Sequence, residues 1–360
     1  TKRINSNKIF PEDFFYFFNL LKENYQKTDF IEMNSSRKNL ASKLINILEK
    51  VLRKTTGLPF YSSQIISIKN LKKIFKSKLL VLTNETVGFS SLFVLWSMKL
   101  IKSDLRSIIF IMGFFNNYLN KKQNSYLKNF ILSKFLKIFD TFVFLGKKEY
   151  EYAKSNFPYA SHKFIYIPFS IDVEFWKNEN NDKGSRQNIL FIGNDQNRDF
   201  ELLIKIANSL PEKNFLFVTN SEFLNLPSNV KMLKGSWRTE LISDSEIKNL
   251  YMSSWLSIIP LKESLQPSGQ SVALQSMSMH IPVMISLTKG FWDENLFEDE
   301  KNIYFIKNGI EEWVSKIENL HKNNNLKLLT ENAYKTVSDS FNINKNYNQF
   351  NQLVNLLLKN

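Results

Sequence analysis

Short apolar runs alternate with stretches of helical apolar period from one end of this sequence to the other. The runs that indicate buried strands lie at residues 78–83, 107–113, 141–145, 188–193, 214–219 and 256–260. Parallel strands that are covered by helices on both faces are continuous apolar runs of this kind. Residues 11–25 have the apolar period of one helix, and residues 28–33 predict a short strand. The alternation therefore predicts an α/β protein with parallel sheets.

Length and local polarity predict two domains. At 360 residues the chain can hold two domains of ordinary size. Residues 178–187 are polar and contain a glycine, which is typical of a linker. We therefore expect one domain over residues 1–177 and another over residues 188–341. Residues 1–6 resemble the loop after a strand, so we expect the first strand to be absent from this sequence or from the protein.

Positive charge is concentrated in the first half of the chain. Residues 1–160 contain 27 Lys and Arg and 11 Asp and Glu, a balance of +16, whereas residues 161–360 contain 21 and 23. So uneven a distribution indicates an anionic partner, either nucleic acid or an anionic membrane. A genome that favours lysine codons would explain the lysine count, but it explains the one-sided balance poorly.

The sequence gives no sign of a metal site. It has no cysteine, which excludes disulfides, thiolate nucleophiles and cysteine-bound metals. The three histidines, His162, His280 and His321, lack the spacing of metal ligands, and no carboxylate cluster accompanies them. We therefore expect neither a metal nor another cofactor.

Residues 258–286 contain the most informative local pattern. An apolar run is followed by the polar loop 266–271, a helical segment and a second apolar run. The start of a helix presents unpaired backbone N–H groups and a partial positive charge. Gly269 would let an anion approach the backbone closely. This loop therefore predicts a site for a phosphate or diphosphate.

Two segments also resemble a known family. Residues 269–283 are GQSVALQSMSMHIPV and residues 164–175 are FIYIPFSIDVEF. Both resemble segments of the family 4 glycosyltransferases, which have the GT-B fold. Gln275 stands at the second glutamate of the family's E-x7-E motif, and Pro267 stands at the first, as in a branch with glutamine at the second position. The resemblance covers residues 164–341 well and is topological before that.

The resemblance implies a fold and an activity. It implies two Rossmann-like domains that face a central cleft, with a C-terminal helix over residues 342–360 crossing back to the N-terminal domain. The second domain would bind a UDP- or GDP-linked sugar, and the first would bind a lipid or cell-surface glycan precursor. Transfer of a hexose with retention and without a metal would follow, in the cytoplasm at the inner face of the membrane.

The matched segments supply candidates for donor binding. Arg198, which aligns with a family lysine, would stabilise the leaving diphosphate as a catalytic cation. Gln275 is expected in the first turn of its helix, where the family carboxylate accepts hydrogen bonds from ribose hydroxyls. The other donor-binding candidates are Gly193, Asn194, Glu263, Ser268, Gly269, Gln270 and Ser271. The alternatives are a solvated arginine at a helix start, a glutamine that faces solvent, and an ordinary surface charge at Glu263.

Two predicted strand ends of the first domain carry further candidates. Glu85 follows the run 78–83 and is expected to face a sugar as a catalytic residue. Asn84, Phe114 and Asn116 are expected to bind the acceptor, because ligands of α/β proteins bind at the carboxyl ends of strands. The alternative for Asn84 and Glu85 is a helix N-cap, and the alternative for Phe114 and Asn116 is hydrophobic packing.

Two predicted basic helices bear on the anionic partner. Residues 37–54 and 123–139 are amphipathic and rich in lysine, so they could lie on an anionic membrane. The alternative is ordinary packing, with the apolar faces on the sheet and the lysines in water. No apolar run reaches the ~18–20 residues of a membrane-spanning helix.

Two other functions stay open at this stage. A non-catalytic sugar- or nucleotide-binding relative is conceivable, because both family glutamates are replaced. A nucleic-acid-binding protein is suggested only by charge, since no stacking or groove-reading motif accompanies it. We therefore expect no nucleic-acid partner.

Overall fold

The computed structural model describes residues 10–33, 40–115, 126–178, 186–235, 242–264, 266–307, 309–320 and 325–359. The chain divides into two compact units. Among the described residues, the first unit holds 16–168 and 347–359, and the second holds 10–15 and 169–346. Each unit is an α/β arrangement around its own parallel sheet, which confirms the predicted class.

The first unit contains a four-stranded sheet with the order β1-β2-β3-β4, and every pairing is parallel. Its strands are β1 (Leu79–Leu82), β2 (Arg106–Ile111), β3 (Thr141–Phe144) and β4 (Phe164–Tyr166). Its helices are α1 (Phe18–Asn24), α2 (Leu40–Thr56), α3 (Ile68–Lys76), α4 (Glu85–Ile101), α5 (Tyr126–Ile138) and α6 (Lys147–Asn156). Short 3-10 turns occupy Ser62–Gln64 and Pro158–Lys163.

Aromatic side chains fill the core of the first unit. The rings of Phe89 on α4 and Phe135 on α5 stack with centroids 4.0 Å apart. Gly88 brings α4 close to the sheet, since a methyl group there would overlap Ile109 of β2. The strands are continuous apolar runs because helices cover them, as the alternation predicts.

The second unit contains a six-stranded sheet with the order β10-β9-β8-β5-β6-β7, and its pairings are also parallel. Its strands are β5 (Asn188–Ile192), β6 (Asn214–Val218), β7 (Val230–Leu233), β8 (Ser254–Ile259), β9 (Val283–Ser286) and β10 (Tyr304–Ile306). Its helices are α7 (Phe200–Ser209), α8 (Asp244–Met252), α9 (Gln270–Ser278), α10 (Ile310–Leu320) and α11 (Leu326–Ser340).

The strand order of the second unit fixes where a ligand can bind. From β5 the chain builds outwards through β6 and β7, and it then returns to the other side of β5 with β8. Such a reversal leaves a crevice at the carboxyl ends of the two neighbouring strands, which is where open α/β sheets bind ligands. The loops after β5 and β8 therefore border the expected ligand crevice of this unit.

The last helix, α12 (Ile343–Lys359), begins in the second unit and continues in the first. The predicted domain limits at residues 177 and 342 differ from those of the units, because residues 169–177 pack with the second unit. Ile171 forms a bridge with Asn342, and the backbone N–H of Ile343 donates to the carbonyl of Ile171 at 2.9 Å. Residues 10–15 belong to the second unit as well.

The N-terminal region differs from the sequence-based expectation. The pattern of residues 11–25 predicts one helix, yet α1 covers only Phe18–Asn24. Tyr16 and Phe17 have φ angles of 49° and 63°, in the left-handed region, so the chain turns before α1. Residues 28–33, where the sequence predicts a strand, form none. Within the described ranges, no helix is both long enough and apolar enough to cross a membrane.

Candidate functional site

Three loops meet at the strand-order reversal of the second unit. The backbone N–H of Lys262, after β8, donates to the carbonyl of Asn197, after β5, at 2.8 Å. Arg198 and Leu261 form an antiparallel bridge between the same loops. The N–H of Leu261 donates to Oγ of Ser286, the last residue of β9, at 2.9 Å. The ends of β5, β8 and β9 therefore form one connected surface.

Arg198 lies at the centre of this surface and is only 3% exposed. Its Nε lies 3.1 Å from Oδ2 of Asp195, which is an ion pair without the angle of a hydrogen bond. Its Nη1 is buried and has no hydrogen-bond partner among the residues that the structure describes. Burial lowers the pKa of Arg198 and the charge of Asp195 raises it, but a guanidinium keeps its proton in either case. A buried cation with an unused donor is expensive unless an anion completes it.

Two glycines make room for the guanidinium. A methyl group on Gly193 would overlap Nε and Cδ of Arg198. A methyl group on Gly269 would lie 2.8 Å from Nη1 of Arg198 and 2.6 Å from Cγ2 of Ile259. Both glycines were predicted for donor binding, and the structure places both of them against Arg198.

The N-terminus of α9 begins beside Nη1. Gly269 is its N-cap residue, with φ 77°, and no side chain in the described structure caps the helix. The first N–H groups of a helix lack intrahelical partners, so those of Gln270 and Ser271 can bind an anion. The side-chain Nε2 of Gln270 is also buried, again without a partner within the described ranges. The cation and the helix N-terminus therefore present positive charge to the same place.

Ser268 lies at the edge of this place and holds two loops together. Its Oγ accepts from Nδ2 of Asn197 at 2.9 Å and donates to Oδ1 of Asp195 at 3.3 Å. Asn197 and Asp195 were not identified from the sequence, where nothing but their position after a strand distinguishes them. The structure thus brings together Gly193, Arg198 and residues 268–271, with the loop 195–197 as their support.

Two other donor candidates hold loops in position. Nδ2 of Asn194 donates to the carbonyl of Gly235 at 2.9 Å, and its Oδ1 accepts from the hydroxyl of Thr219 at 3.1 Å. Asn194 therefore ties together the loops after β5, β6 and β7. Glu263 is exposed, and its Oε1 accepts from the backbone N–H of Lys289, after β9, at 3.0 Å.

Gln275 lies deeper than expected. Because α9 begins at Gln270, Gln275 falls in the second turn and not in the first. It is 6% exposed, and its amide uses both ends within the protein. Oε1 accepts from the hydroxyl of Tyr251 at 3.0 Å, and Nε2 donates to Oδ2 of Asp13 at 2.7 Å. To bind a ribose, Gln275 would have to exchange one of these bonds, so its role in donor binding stays a prediction.

Asp13 is the buried carboxylate of this network and is 3% exposed. Its Oδ2 also accepts from Nε1 of Trp176 at 2.7 Å, and its Oδ1 accepts from the N–H of Asp172 at 2.6 Å. Burial raises the pKa of Asp13 to about 7, although the three donors oppose this change. Local sequence gives no signal for Asp13, because it lies 262 residues from Gln275.

Glu85 lies in the first unit. It is the first residue of α4 and follows the carboxyl end of β1. Its Oε2 is buried and has no hydrogen-bond partner in the part of the chain that the structure describes. Burial raises the pKa of Glu85 to about 7, and hydrogen bonding from its own N–H and that of Met112 opposes this. Tyr16 donates to Sδ of Met112 at 3.2 Å, and its pKa is raised by burial and by the charge of Glu85.

The other acceptor candidates differ in their surroundings. Asn84 is the N-cap of α4, and its side chain accepts from the N–H of Val87 at 2.9 Å. Phe114 is 1% exposed and packs on Phe89 and Phe135, so it is a core residue here, as the packing alternative proposed. Asn116 lies outside the described residues.

Glu149 was not identified from the sequence. It is 1% exposed, and its carboxylate accepts from the N–H groups of Gly113 and Phe115 at 2.7 Å and 2.8 Å. It therefore holds the loop that follows β2. Within the described ranges, no group of three or more His, Asp and Glu side chains could hold a metal ion.

Replacing Gln275 with alanine should destabilise the second unit. The change leaves Tyr251 without its acceptor and Asp13 with one donor fewer, and each buried polar group left unpaired costs about 1–3 kcal/mol. We expect a lower melting temperature in calorimetry, whereas Gln352→Ala, at an exposed glutamine on α12, should melt like the unmodified chain. Equal melting of Gln275→Ala and the control would show that the network contributes nothing.

Asp13 should make stability depend on pH. Because its pKa rises from 3.8 to about 7, the folded chain keeps a proton at intermediate pH that the unfolded chain has lost. The stabilising contribution is complete below the unfolded pKa and is lost as the pH rises through the folded one. The melting temperature of the unmodified chain minus that of Asp13→Asn should therefore fall between about pH 5 and about pH 8. A difference that is flat or rises over this range would contradict the raised pKa.

Comparisons with known proteins give matches in structure alone. A scan against protein-family models and a search of curated protein sequences each find no match. Among solved structures, sucrose-phosphate synthase from Thermosynechococcus elongatus has a TM-score of 0.65 at 14% identity, over 91% of this chain and 82% of that one. A glycosyltransferase from Rickettsia africae ESF-5 has a TM-score of 0.59 at 16% identity, over 95% and 88%.

A third similar structure is Anabaena HepE, solved in complex with UDP and glucose. It has a TM-score of 0.61 at 14% identity, over 89% of this chain and 97% of that one. Identities this low show the fold alone. With its two Rossmann-like units of four and six parallel strands, this chain has the GT-B fold.

Proposed function

We propose that this chain is a glycosyltransferase that moves a hexose from a UDP- or GDP-linked donor to an acceptor. One observation carries the proposal: a buried arginine with an unused donor stands beside the uncapped N-terminus of α9. A nucleoside diphosphate is the leaving group whose charge such an arrangement stabilises. The position at the strand-order reversal is where open α/β sheets bind nucleotides.

We propose that the transfer needs no metal. The leaving diphosphate must be neutralised as its bond to the sugar breaks, and a divalent cation is one way to do this. Arg198 and the N–H groups of α9 offer fixed positive charge at the same point, and they need no reorganisation during the reaction.

Uridine diphosphate is the first nucleotide to test. The Anabaena protein was solved with UDP and glucose, and a pneumococcal O-GlcNAc transferase of similar fold was solved with UDP and GlcNAc. Only the similarity in fold suggests UDP for this chain, so GDP and GDP-linked sugars are tested in the same screen.

For the acceptor side we propose Glu85. An unpartnered carboxylate oxygen at the end of β1 can accept a hydrogen bond from an acceptor hydroxyl and so orient it. Of the described histidines, His162 is exposed in a turn and His280 stacks on Tyr334, so neither is placed as a general base. We therefore propose transfer with retention, in which the leaving phosphate takes the acceptor proton.

The acceptor class follows from charge. The basic first half of the chain suits an anionic surface, so we propose a lipid or cell-surface glycan precursor as the acceptor. The reaction would then take place in the cytoplasm, at the inner face of the membrane.

Loss of the Arg198 guanidinium should weaken UDP binding. A hydrogen bond to a charged group contributes about 1.5–3 kcal/mol, so Arg198→Gln should raise the Kd roughly 10- to 150-fold in titration calorimetry. Gly193→Ala keeps the charge but displaces it, and it should weaken binding in the same direction.

Lys205→Gln is the matched control for charge. Lys205 lies on α7 in the same unit, exposed and paired with Glu201, so its loss should leave the Kd unchanged. If Arg198→Gln binds UDP and GDP as well as the unmodified chain does, the site is assigned wrongly.

Turnover should depend on the ionisation of Glu85. Because its pKa is raised to about 7, the carboxylate that would accept a hydrogen bond from the acceptor hydroxyl forms only as the pH rises through that value. We expect the rate to increase across about pH 6 to 8 and the increase to disappear in Glu85→Gln, with an unchanged Kd for UDP. The same pH profile in both proteins would exclude Glu85.

A second function is favoured by one observation. Both ends of the Gln275 amide are used inside the protein, which also suits a relative that binds a nucleotide or sugar without transferring it. Release of UDP from a UDP-sugar in the absence of acceptor separates the two, since transferases slowly hydrolyse their donors. A chain that binds UDP tightly and releases none from any sugar donor would be a binding protein.

A further inference from the structure

Helix α2 exposes its apolar side. Leu44, Ile47, Leu48 and Val51, which we call the α2 stripe, are 60%, 59%, 65% and 54% exposed. Their spacing of three and four residues places them on one face of the helix. A surface helix normally turns this face to the core. On α2, Leu52 packs on the core of the first unit as the packing alternative proposes, but the stripe does not.

The opposite, polar side of α2 is anchored to the protein. Glu49 is 3% exposed, and its carboxylate accepts from the N–H and the hydroxyl of Ser63. Arg53 donates to the carbonyl of Phe60 and lies over the ring of Tyr61, 4.4 Å from its centroid. Rotation of the helix to bury the stripe would break these contacts, so the exposed face is built into the fold.

Lysines flank the stripe. At 100° per residue, Lys43, Lys50 and Lys54 fall along one edge of it, and all three are exposed. Between residues 40 and 139 the sequence has 17 Lys and Arg but only three acids. One of those acids is Glu49, which is buried, so the flank is positive without a compensating charge on the same helix.

The neighbouring helix extends the same character. Helix α5 packs beside α2, and its first turns expose Tyr126, Leu127 and Phe130 at 91%, 41% and 53%. Lys134 lies over the ring of Phe130, 5.2 Å from its centroid. Helix α5 thus also exposes apolar side chains next to a lysine.

We propose that the α2 stripe is a docking surface for an anionic membrane. Leu44, Ile47, Leu48 and Val51 enter the boundary between headgroups and acyl chains, and the flanking lysines reach the lipid phosphates with their long side chains. A second copy of this chain fits less well, since it would oppose lysine with lysine. Protein interfaces also lose lysine from their cores, whereas anionic lipid attracts it.

This surface belongs to the first unit, and the proposed nucleotide site belongs to the second. The docking proposal rests on the proposed function only for its biological setting. Membrane binding and UDP binding are therefore measured separately on each variant, and failure of one does not decide the other.

The test is vesicle flotation of the full chain. Vesicles of phosphatidylcholine alone are compared with vesicles that contain about one third phosphatidylglycerol, in which surface potential attracts basic segments. The stripe variant is Leu44→Ser, Ile47→Ser, Leu48→Ser and Val51→Ser together, and the flank variant is Lys43→Gln, Lys50→Gln and Lys54→Gln together. The control is Leu224→Ser with Leu328→Ser, which removes apolar side chains 103% and 57% exposed in the second unit.

We expect the unmodified chain and the control to float with anionic vesicles only. The stripe variant should lose about tenfold or more of its partition, and the flank variant should resemble it at low salt. Both should keep their melting temperature and their Kd for UDP. Equal binding to neutral and anionic vesicles, or binding to neither, would overturn the proposal.

Two further outcomes would also overturn it. If the stripe variant melts at a clearly lower temperature, another part of the chain covers the stripe in solution. If the unmodified chain is a dimer by light scattering and the stripe variant is a monomer, the occupant is a second copy.

Discussion

The burial of Arg198 is the constraint on which the second unit depends. Taking a guanidinium out of water is costly, and Asp195, which is half exposed, offsets the cost only in part. Two glycines give it space, and the start of α9 adds positive charge beside it. The guanidinium and the helix N-terminus are both positive, so their proximity is unfavourable unless an anion lies between them. The nucleoside diphosphate that we propose as the ligand would supply the missing negative charge.

The residues of the candidate site could be predicted from the sequence because its parts are local. A strand, a glycine and a helix start are visible within residues 188–200 and again within 256–275. What brings Arg198 to Gly269 is the strand order, and parallel strands that end at the same edge make such a meeting probable on general grounds. The burial of Gln275 could not be predicted, because its partner Asp13 is 262 residues away and neither segment has a pattern that indicates the contact.

The N-terminal segment shows why periodicity can mislead. Residues 11–25 have the apolar spacing of a helix, but several of the aromatic residues serve long-range packing instead. Phe17, with its left-handed backbone, stacks on Phe350 at 4.9 Å and also packs on Phe110. For α2 the apolar period predicts the helix correctly, but it does not predict which face of the helix turns towards the protein. Besides Leu52, the inward face carries Glu49, whose contacts with Ser63 a hydrophobic pattern cannot predict.

The buried acids have a common consequence for the surface. Glu49 and Glu149 of the first unit are at most 3% exposed, and each accepts hydrogen bonds from backbone N–H groups of a loop or turn. Carboxylates that fix loops in this way are withdrawn from the surface, while lysines such as Lys43, Lys50 and Lys54 are exposed. The first unit therefore presents a more positive exterior than its sequence balance alone implies. A positive exterior of this kind suits the anionic membrane that we propose as the partner of the α2 stripe.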